Sequence, residues 1–237
     1  MITVGTWNVG GALDVEAAAT VLRAAQPDVL CVLEPPSRLG LRRLAKAAGM
    51  QVAHRAGGRR TGAALLTRGD ARVLSSNDVE LDPAGGAAAR HAAHAIVGVG
   101  STRISVLAVQ LGLRPEARAH HAEQLLAFLA TIDLPSVVGA DLNEAPGGPA
   151  GERLTARYVD AFAAAGTGRG DTYPTPEPSA RYDVVLVDPA LLVRSCAVHT
   201  DPPVDVVSHH RPVLATLGAP DEVPGRAEPT AGAEGVA

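Results

Sequence analysis

The chain has almost no lysine, and its charge balance excludes one class of partner. Lys46 is the single lysine, so arginine supplies nearly all of the 21 basic side chains, and 25 acidic side chains leave a formal net charge of -4. A protein that binds duplex DNA through its phosphates needs an excess of basic side chains. The composition therefore argues against duplex nucleic acid as the partner, but it does not exclude a small phosphate ester as the substrate.

Cysteine and long apolar runs are also scarce. Cys31 and Cys196 are the two cysteines in 237 residues, too few for the disulfide framework of a small secreted protein. The apolar runs are shorter than the roughly 20 residues that cross a bilayer. The N-terminal residues enter a strand pattern directly, without the regions of a signal peptide. We therefore expect a reduced, cytoplasmic protein with no membrane partner.

Aromatic residues are few, so alanine, valine and leucine must build the core. Hydrophobic residues make up 46% of the chain and aromatic residues 3%, a composition that is typical of a globular protein rather than a disordered one. Short apolar strands alternate with amphipathic helices along residues 1–217, which predicts one α/β domain. Residues 218–237 have low complexity and predict a disordered C-terminal tail.

The boundaries of several elements follow from their periodicity and their flanking residues. Asp14 precedes an apolar pattern of period 3.6 and predicts a helix with an aspartate N-cap. Two more helices are predicted over residues 37–49 and 115–132, the second with a proline in its first turn. The glycine at position 100 predicts a tight turn between two strands. Further strands are predicted at residues 2–9, 29–34, 62–68, 182–188, 191–199 and 211–217, and residues 135–148 are predicted to form a strand that breaks into an acidic, glycine-rich loop.

Polar side chains suited to metal and phosphate chemistry follow five of these apolar runs or begin them. They are Asn8, Glu34, the pair Asp141 and Asn143, Asp183, and the pair His209 and His210. In α/β folds, strand ends aim side chains into a shared crevice. Each of these groups alone could be a capping residue or a surface charge, but five of them predict a single active site.

The ordered set of motifs resembles the endonuclease/exonuclease/phosphatase superfamily, which includes pancreatic deoxyribonuclease, sphingomyelinases and inositol-polyphosphate phosphatases. The motifs are TWNVGG, VLCVLE, GAALLTR, VVGADLNEAP, DTYP with RYDVVLV, and VSHHRPVLA. Each motif is weak alone, whereas the ordered set spans nearly the whole predicted domain. The resemblance implies a four-layer α/β/β/α sandwich of two packed mixed sheets flanked by helices.

The resemblance also implies a role for each strand-end residue. Glu34 would bind a divalent metal, with Asn8 beside it as a ligand or phosphate contact, and oxygen ligands suit Mg²⁺ or Mn²⁺. Asp141 would take a proton from the attacking water. Asn143 would hold a phosphate oxygen. His210 would stabilise the charged phosphoryl group, and Asp183 would orient that histidine.

Three positions depart from the family pattern. His209 replaces an aspartate of the metal site, Gln110 replaces a histidine, and Leu33 replaces a glutamine. If His209 binds the metal, a transition metal becomes the expected ion, because imidazole suits such ions better than Mg²⁺; the alternative is a structural histidine that points away from the site. Gln110 is expected to contact the substrate phosphate. Arg90 is either a second substrate contact or a solvated loop charge.

The most economical interpretation is a divalent-metal-dependent hydrolase of phosphoester bonds that acts on a small or specialised substrate. The departures leave two alternatives open. One is a repurposed enzyme with a non-phosphate substrate, and the other is a binding module without catalytic activity. Two neighbouring histidines, His120 and His121, lie on the long predicted helix and are expected at the surface.

Overall fold

The computed structural model describes residues 1–11, 14–83 and 88–218. Within those residues, short strands and helices follow one another from the first strand to the last. Their bounds are β1 Ile2–Asn8, α1 Val15–Ala25, β2 Val29–Leu33, α2 Arg38–Ala47, β3 Gln51–Ala56, β4 Ala63–Thr67, β5 Arg72–Leu81, β6 Arg90–Val99, β7 Thr102–Gln110, α3 Pro115–Leu129, β8 Ser136–Asp141, α4 Pro149–Thr155, β9 Val159–Asp160, α5 Ala161–Ala165, β10 Gly166–Thr167, β11 Asp183–Val187, β12 Leu192–Val198, α6 Val204–Val207 and β13 Val213–Gly218.

The strands form two mixed sheets. The first has the order β10-β12-β13-β1-β2-β4-β3, and the second has the order β5-β6-β7-β8-β11-β9. In the first sheet, β1 runs parallel to β2 and antiparallel to β13, so the first and last described strands are neighbours. In the second sheet, β7 runs parallel to β8, and β8 runs antiparallel to β11.

Three apolar layers hold the two sheets and the helices together. The layer between the sheets contains Cys31, Val106 and Ala215. On the outer face of the first sheet, α1 and α2 pack around Trp7 and its neighbours. On the outer face of the second sheet, α3 and α4 cover an apolar surface that includes Leu107. The result is the four-layer α/β/β/α sandwich that the sequence predicted.

The predicted helix signals operate as expected. The Asp14 side chain accepts hydrogen bonds from the backbone N–H groups of Glu16 and Ala17, so it caps α1. At the other end of α1, Gln26 adopts a left-handed conformation, with φ of 46°, and its N–H donates to the Leu22 carbonyl. The strands β6 and β7 pair across the predicted turn, where Gly100 has φ of 58°.

Four strands were missing from the prediction, namely β3, β5 and the two-residue strands β9 and β10, and all four are edge strands. The strand β3 reads QVAHRA, and β5 reads RVLSSNDVEL with most of its side chains exposed. An edge strand needs no continuous apolar pattern, since one of its sides has no neighbouring strand. Of the predicted tail, Gly218 is the last residue of β13, and residues 219–237 lie outside the described residues.

Both cysteines are buried and free, and burial raises the pKa of each thiol to about 12. Among the helices of the described residues, none is long and apolar enough to cross a membrane.

Candidate active site

Strand register brings the predicted residues to one end of the sandwich. Asn8 is the last residue of β1 and lies opposite Leu33 at the end of β2, which places Glu34 just beyond it. Gln110 ends β7 and lies opposite Asp141 at the end of β8. Asp183 begins the antiparallel strand β11 and also lies opposite Asp141. Both sheets therefore contribute to one cluster of polar groups.

Two amides bridge the carboxylates of Glu34 and Asp141. The Asn8 Nδ2 donates to Asp141 Oδ2 at 2.9 Å and to Glu34 Oε1 at 3.4 Å. The Gln110 Nε2 donates to Glu34 Oε1 at 2.8 Å and to Asp141 Oδ2 at 3.1 Å. Asp141 is fully buried, and Glu34 is half-buried and so nearer to solvent. Two carboxylates this close repel each other, and the amide donors partly offset the repulsion.

Arg90 fixes the orientation of the Gln110 amide. An Nη1–H of Arg90 donates to Gln110 Oε1 and also to the backbone carbonyl of Arg60. The Nε2 hydrogens of Gln110 are thus directed at the carboxylates of Glu34 and Asp141, and the predicted contact with a substrate phosphate stays a prediction. Burial lowers the pKa of Arg90, while Glu34 and Asp141 oppose that change. Arg90 lies beside both carboxylates and is not a solvated loop charge.

His210 and Asp183 form a buried pair. The Nδ1 of His210 lies 2.7 Å from Asp183 Oδ2. Burial lowers the pKa of His210, but the charge and hydrogen bond of Asp183 and the charges of Asp141 and Glu34 outweigh it, so the net pKa is raised. The ring of Tyr173 lies 4.8 Å from the imidazole, centroid to centroid.

The backbone around His210 is tied to the first strand. The indole N–H of Trp7 donates to the His210 carbonyl at 2.8 Å. The hydroxyl of Ser208 donates to the Asn8 carbonyl at 2.6 Å and accepts from the His210 N–H at 3.1 Å. Ser208 therefore links the loop that carries His210 to the end of β1 by hydrogen bonds.

Asp141 is held from both sides. The backbone N–H of Asn143 donates to Asp141 Oδ1 at 2.9 Å, and Asn143 has φ of 52° to make this turn. The Asn143 side chain donates to the Leu111 carbonyl at 2.9 Å. Burial and the nearby Asp183 raise the pKa of Asp141, whereas His210 and hydrogen bonds from Asn8 and Asn143 lower it; the net shift is upward.

The two remaining histidine predictions have different outcomes. The side chain of His209 is exposed, whereas Asp141, Asp183 and His210 are buried, and its backbone carbonyl accepts from the Thr175 N–H, so its role at the metal stays a prediction. His121 is 1% exposed, contrary to the expected surface position. Its Nδ1 accepts from the Gly112 N–H, and its Nε2 donates to the Asp82 carbonyl. It anchors the loop that follows Gln110, a role that the sequence did not indicate.

The side chains present fit a divalent cation. Ligand atoms of Asp141, Asp183 and His210 lie within 4.8 Å of one another. The Asp183 Oδ1 is buried and has no hydrogen-bond partner among the described residues. Carboxylate oxygens are the ligands that Mg²⁺ and Mn²⁺ prefer, and the half-buried Glu34 adds another on the solvent side of Asp141.

Comparison with solved structures supports the fold. A protein of unknown function from Enterococcus faecalis V583 has a TM-score of 0.82 at 17% identity, covering 92% of this chain and 100% of that chain. The mannosyl-6-phosphatase Bt3783 of Bacteroides thetaiotaomicron VPI-5482 has a TM-score of 0.79 at 15% identity, with coverage of 92% and 100%. Truncated TDP2 of Caenorhabditis elegans has a TM-score of 0.71 at 17% identity, with coverage of 92% and 97%.

Of the two sequence comparisons, one finds a family and the other finds no match. A search of curated proteins finds no match. A family model described as Endonuclease/Exonuclease/phosphatase family matches residues 5–218. That range contains the bridged carboxylates, the buried histidine–aspartate pair and the loop that joins them to β1. The chain therefore belongs to the endonuclease/exonuclease/phosphatase family, a family of phosphoester hydrolases.

Proposed function

We propose that the protein is a divalent-metal-dependent hydrolase of phosphoester bonds that acts on a small or specialised substrate. The observation that carries the proposal is the position of Asp141, between the amide-bridged Glu34 on one side and the His210–Asp183 pair on the other. A phosphoryl group that enters between them has a base, a cation site and an imidazolium around one reacting atom.

Asp141 is the general base in this proposal. Its Oδ1 and Oδ2 accept hydrogen bonds from Asn143, Asn8 and Gln110, which fix the plane of the carboxylate. A base is most effective when its pKa approaches the working pH, and the upward shift of the Asp141 pKa moves it in that direction. The carboxylate takes the proton of the attacking water.

His210 supplies positive charge on the opposite side. Asp183 holds Nδ1, which leaves the Nε2–H of the imidazolium as a donor to a phosphoryl oxygen. The raised pKa of His210 favours the cationic ring, and that charge offsets the negative charge that develops on the phosphoryl oxygens during hydrolysis. Tyr173 packs against the ring and restricts its rotation.

Glu34 and Asn8 are the proposed metal-site residues; Asp141, Asp183 and His210 also lie close enough together to hold an ion, but their proposed roles are proton transfer and stabilisation of the phosphoryl group. The exposed position of His209 favours an all-oxygen site, and thus Mg²⁺ or Mn²⁺ over a softer transition metal. When bound, the ion supplies charge stabilisation for the phosphoryl oxygens. Arg90 and Gln110 hold the two carboxylates in place, which makes them positioning residues for that site.

The test is hydrolysis of a panel of phosphomonoesters and phosphodiesters with Mg²⁺ or Mn²⁺. The panel includes a hexose 6-phosphate, because one protein of similar structure is a mannosyl-6-phosphatase. The Asp141→Asn variant should lower kcat by about 10²–10⁴-fold, the usual contribution of a general base. The control is Asp70→Asn, an exposed carboxylate beyond the opposite end of β4, which should leave kcat unchanged.

Two results would overturn the proposal. Activity that survives Asp141→Asn would remove Asp141 from the mechanism. A folded protein that hydrolyses none of the panel would favour the non-phosphate substrate or the binding module. Calorimetric titration with inorganic phosphate then separates those two, since a binding module that keeps the crevice would still bind the anion.

A further inference from the structure

The charges of this acidic chain are unevenly distributed. Residues 35–69 contain eight of the 21 basic side chains and none of the 25 acidic ones. This basic segment, defined as residues 35–69, begins directly after Glu34 and includes α2, β3 and β4. It therefore starts beside the proposed metal site and carries an excess of positive charge, although the whole chain is negative.

Loop contacts place several arginines of the basic segment at the rim of the active site. The guanidinium of Arg59 donates to the Gly11 carbonyl, three residues beyond Asn8. The backbone carbonyl of Arg60 accepts from Arg90, which in turn holds Gln110. The Arg55 guanidinium donates to the Gly57 carbonyl at 2.7 Å and to the Pro36 carbonyl at 3.5 Å.

Among the described residues, the arginines of the basic segment have no carboxylate partner. In the described part of the chain, no arginine of the basic segment forms an ion pair with a carboxylate, whereas five arginines elsewhere do. The Nε of Arg55 is buried without an acceptor. Burial and the nearby charge of Arg38 both lower the pKa of Arg55. Neighbouring cations without a counter-charge are costly unless an anion binds between them.

The opposite rim of the site has a different charge. Asp205 lies in the surface depression that includes His209, and Asp171 and Glu177 lie in the neighbouring one beside Arg211. The two basic residues of this surface are already paired, Arg211 with Asp205 at 2.7 Å and Arg169 with Asp171 at 2.9 Å. A duplex nucleic acid presents phosphates on both sides of a scissile bond. A positive rim on one side alone fits a substrate whose second anion lies on the Glu34 side.

We infer that the substrate carries a second phosphate, held by Arg38, Arg55, Arg59 and Arg60 at the loops beside Glu34, while the scissile phosphoester lies between Asp141 and His210. The inference rests on the proposed function and narrows it to a small bisphosphorylated compound. Guanidinium groups suit this role because they bind phosphate oxygens with two parallel hydrogen bonds.

The experiment compares a hexose bisphosphate with the matching hexose monophosphate. For the Arg59→Gln/Arg60→Gln variant, the preference for the bisphosphate, measured as the ratio of kcat/KM values, should fall by about tenfold or more. The control variant is Arg42→Gln/Arg43→Gln, which removes the same charge from exposed positions on α2. An equal fall in both variants would indicate general electrostatics and would overturn the inference.

Arg60→Gln alone is the second variant, because the structure uses only the backbone of Arg60 and the substitution leaves the Arg59 contact with Gly11 intact. It should lower the same ratio in the same direction. No change in that ratio for both the double variant and Arg60→Gln would also overturn the inference. A short single-stranded oligonucleotide with a terminal phosphate is the third substrate tested. A larger kcat/KM for the oligonucleotide than for the bisphosphate would reject a small molecule as the carrier of the second phosphate.

A binding measurement separates failure of the inference from failure of the proposed function. Calorimetry on the Asp141→Asn variant reports affinity for both sugar phosphates without turnover. Tighter binding of the bisphosphate that depends on Arg59 and Arg60 would support the inference even if no phosphoester is hydrolysed. Hydrolysis of monophosphates by the wild-type protein, with equal affinity for both compounds, would leave the function standing and reject the second phosphate site.

Discussion

Asp183 controls the charge of His210 through one short contact. Of the opposing influences on that histidine, burial favours the neutral ring, and the Asp183 carboxylate is the largest group that favours the cation. The pair therefore links catalytic competence to pH. A histidine whose pKa is raised above about 6.5 stays protonated further into the alkaline range.

Replacing Asp183 should move the pH profile. The raised pKa means that the imidazolium, and the stability it gains from Asp183, are fully present below the unfolded pKa and are lost as pH rises through the folded pKa. We expect Asp183→Asn to shift the alkaline limb of kcat to lower pH, because the raising carboxylate is gone. Measurement of kcat from pH 5 to pH 9 checks this, and an unshifted limb would show that His210 does not act as a cation.

A comparison of Glu34 with His209 tests the metal site. Glu34→Gln should weaken Mg²⁺ binding by at least about tenfold, since it removes a charged oxygen ligand. His209→Gln should leave the binding unchanged, because that side chain is exposed. The readout is the rise in Tm with Mg²⁺ concentration, which follows binding and needs no turnover. An equal loss for both variants would restore His209 as a ligand.

Single residues at strand ends were predictable, and their partners were not. Asn8, Asp141 and Asp183 each adjoin an apolar run, so the sequence alone placed them at one end of the sheets. The contacts of Gln110 could not be predicted, because they depend on how β7 and β8 align. His121 was misplaced, since its helix has no clear apolar face to indicate which side is buried.

Helix α1 shows how far the local sequence determines where an element begins and ends. Its start is set by Asp14, which the sequence identified as the N-cap, and it ends at the left-handed Gln26, directly before Pro27. The edge strands β3 and β5 lack a clear apolar pattern, so local sequence did not reveal them. Each pairs with the strand that follows it in the chain, β3 with β4 and β5 with β6.

The cap of α1 allows a direct test of this local control. Asp14→Ala should lower the free energy of unfolding by about 1 kcal/mol, because two backbone N–H groups lose their acceptor. Asp70→Ala, at an exposed loop position, should change it by less than about 0.5 kcal/mol. Urea denaturation of both variants measures the difference, and equal effects would mean that the cap does not stabilise the helix.

The two sheets are in close contact at Gly139. A methyl group there would lie 2.6 Å from the Cβ and Sγ of Cys31 and 3.0 Å from the Cβ of Thr6, both in the other sheet. The spacing of the sheets matters for the active site, because Asn8 belongs to one sheet and Asp141 to the other, with 2.9 Å between the bonded atoms.

Gly139→Ala should therefore affect stability and activity together. Overpacking of this kind costs about 1–3 kcal/mol, and separation of the sheets lengthens the Asn8–Asp141 contact, which lowers kcat. The control is Gly147→Ala, where a methyl group meets open space. Chemical denaturation and kcat are measured on both variants. A loss of stability without a change in kcat would show that the site tolerates movement of the sheets.

The hydrogen bonds that close the site join the two extremes of the described chain. Trp7 contacts His210 across 203 positions, and Asn8 contacts Ser208 across 200. Contacts of such long range form late in folding. Nearly the whole chain must therefore leave the ribosome before these groups can meet, and a nascent or prematurely terminated product lacks the complete candidate site. The topology thus restricts the proposed activity to finished copies of the protein.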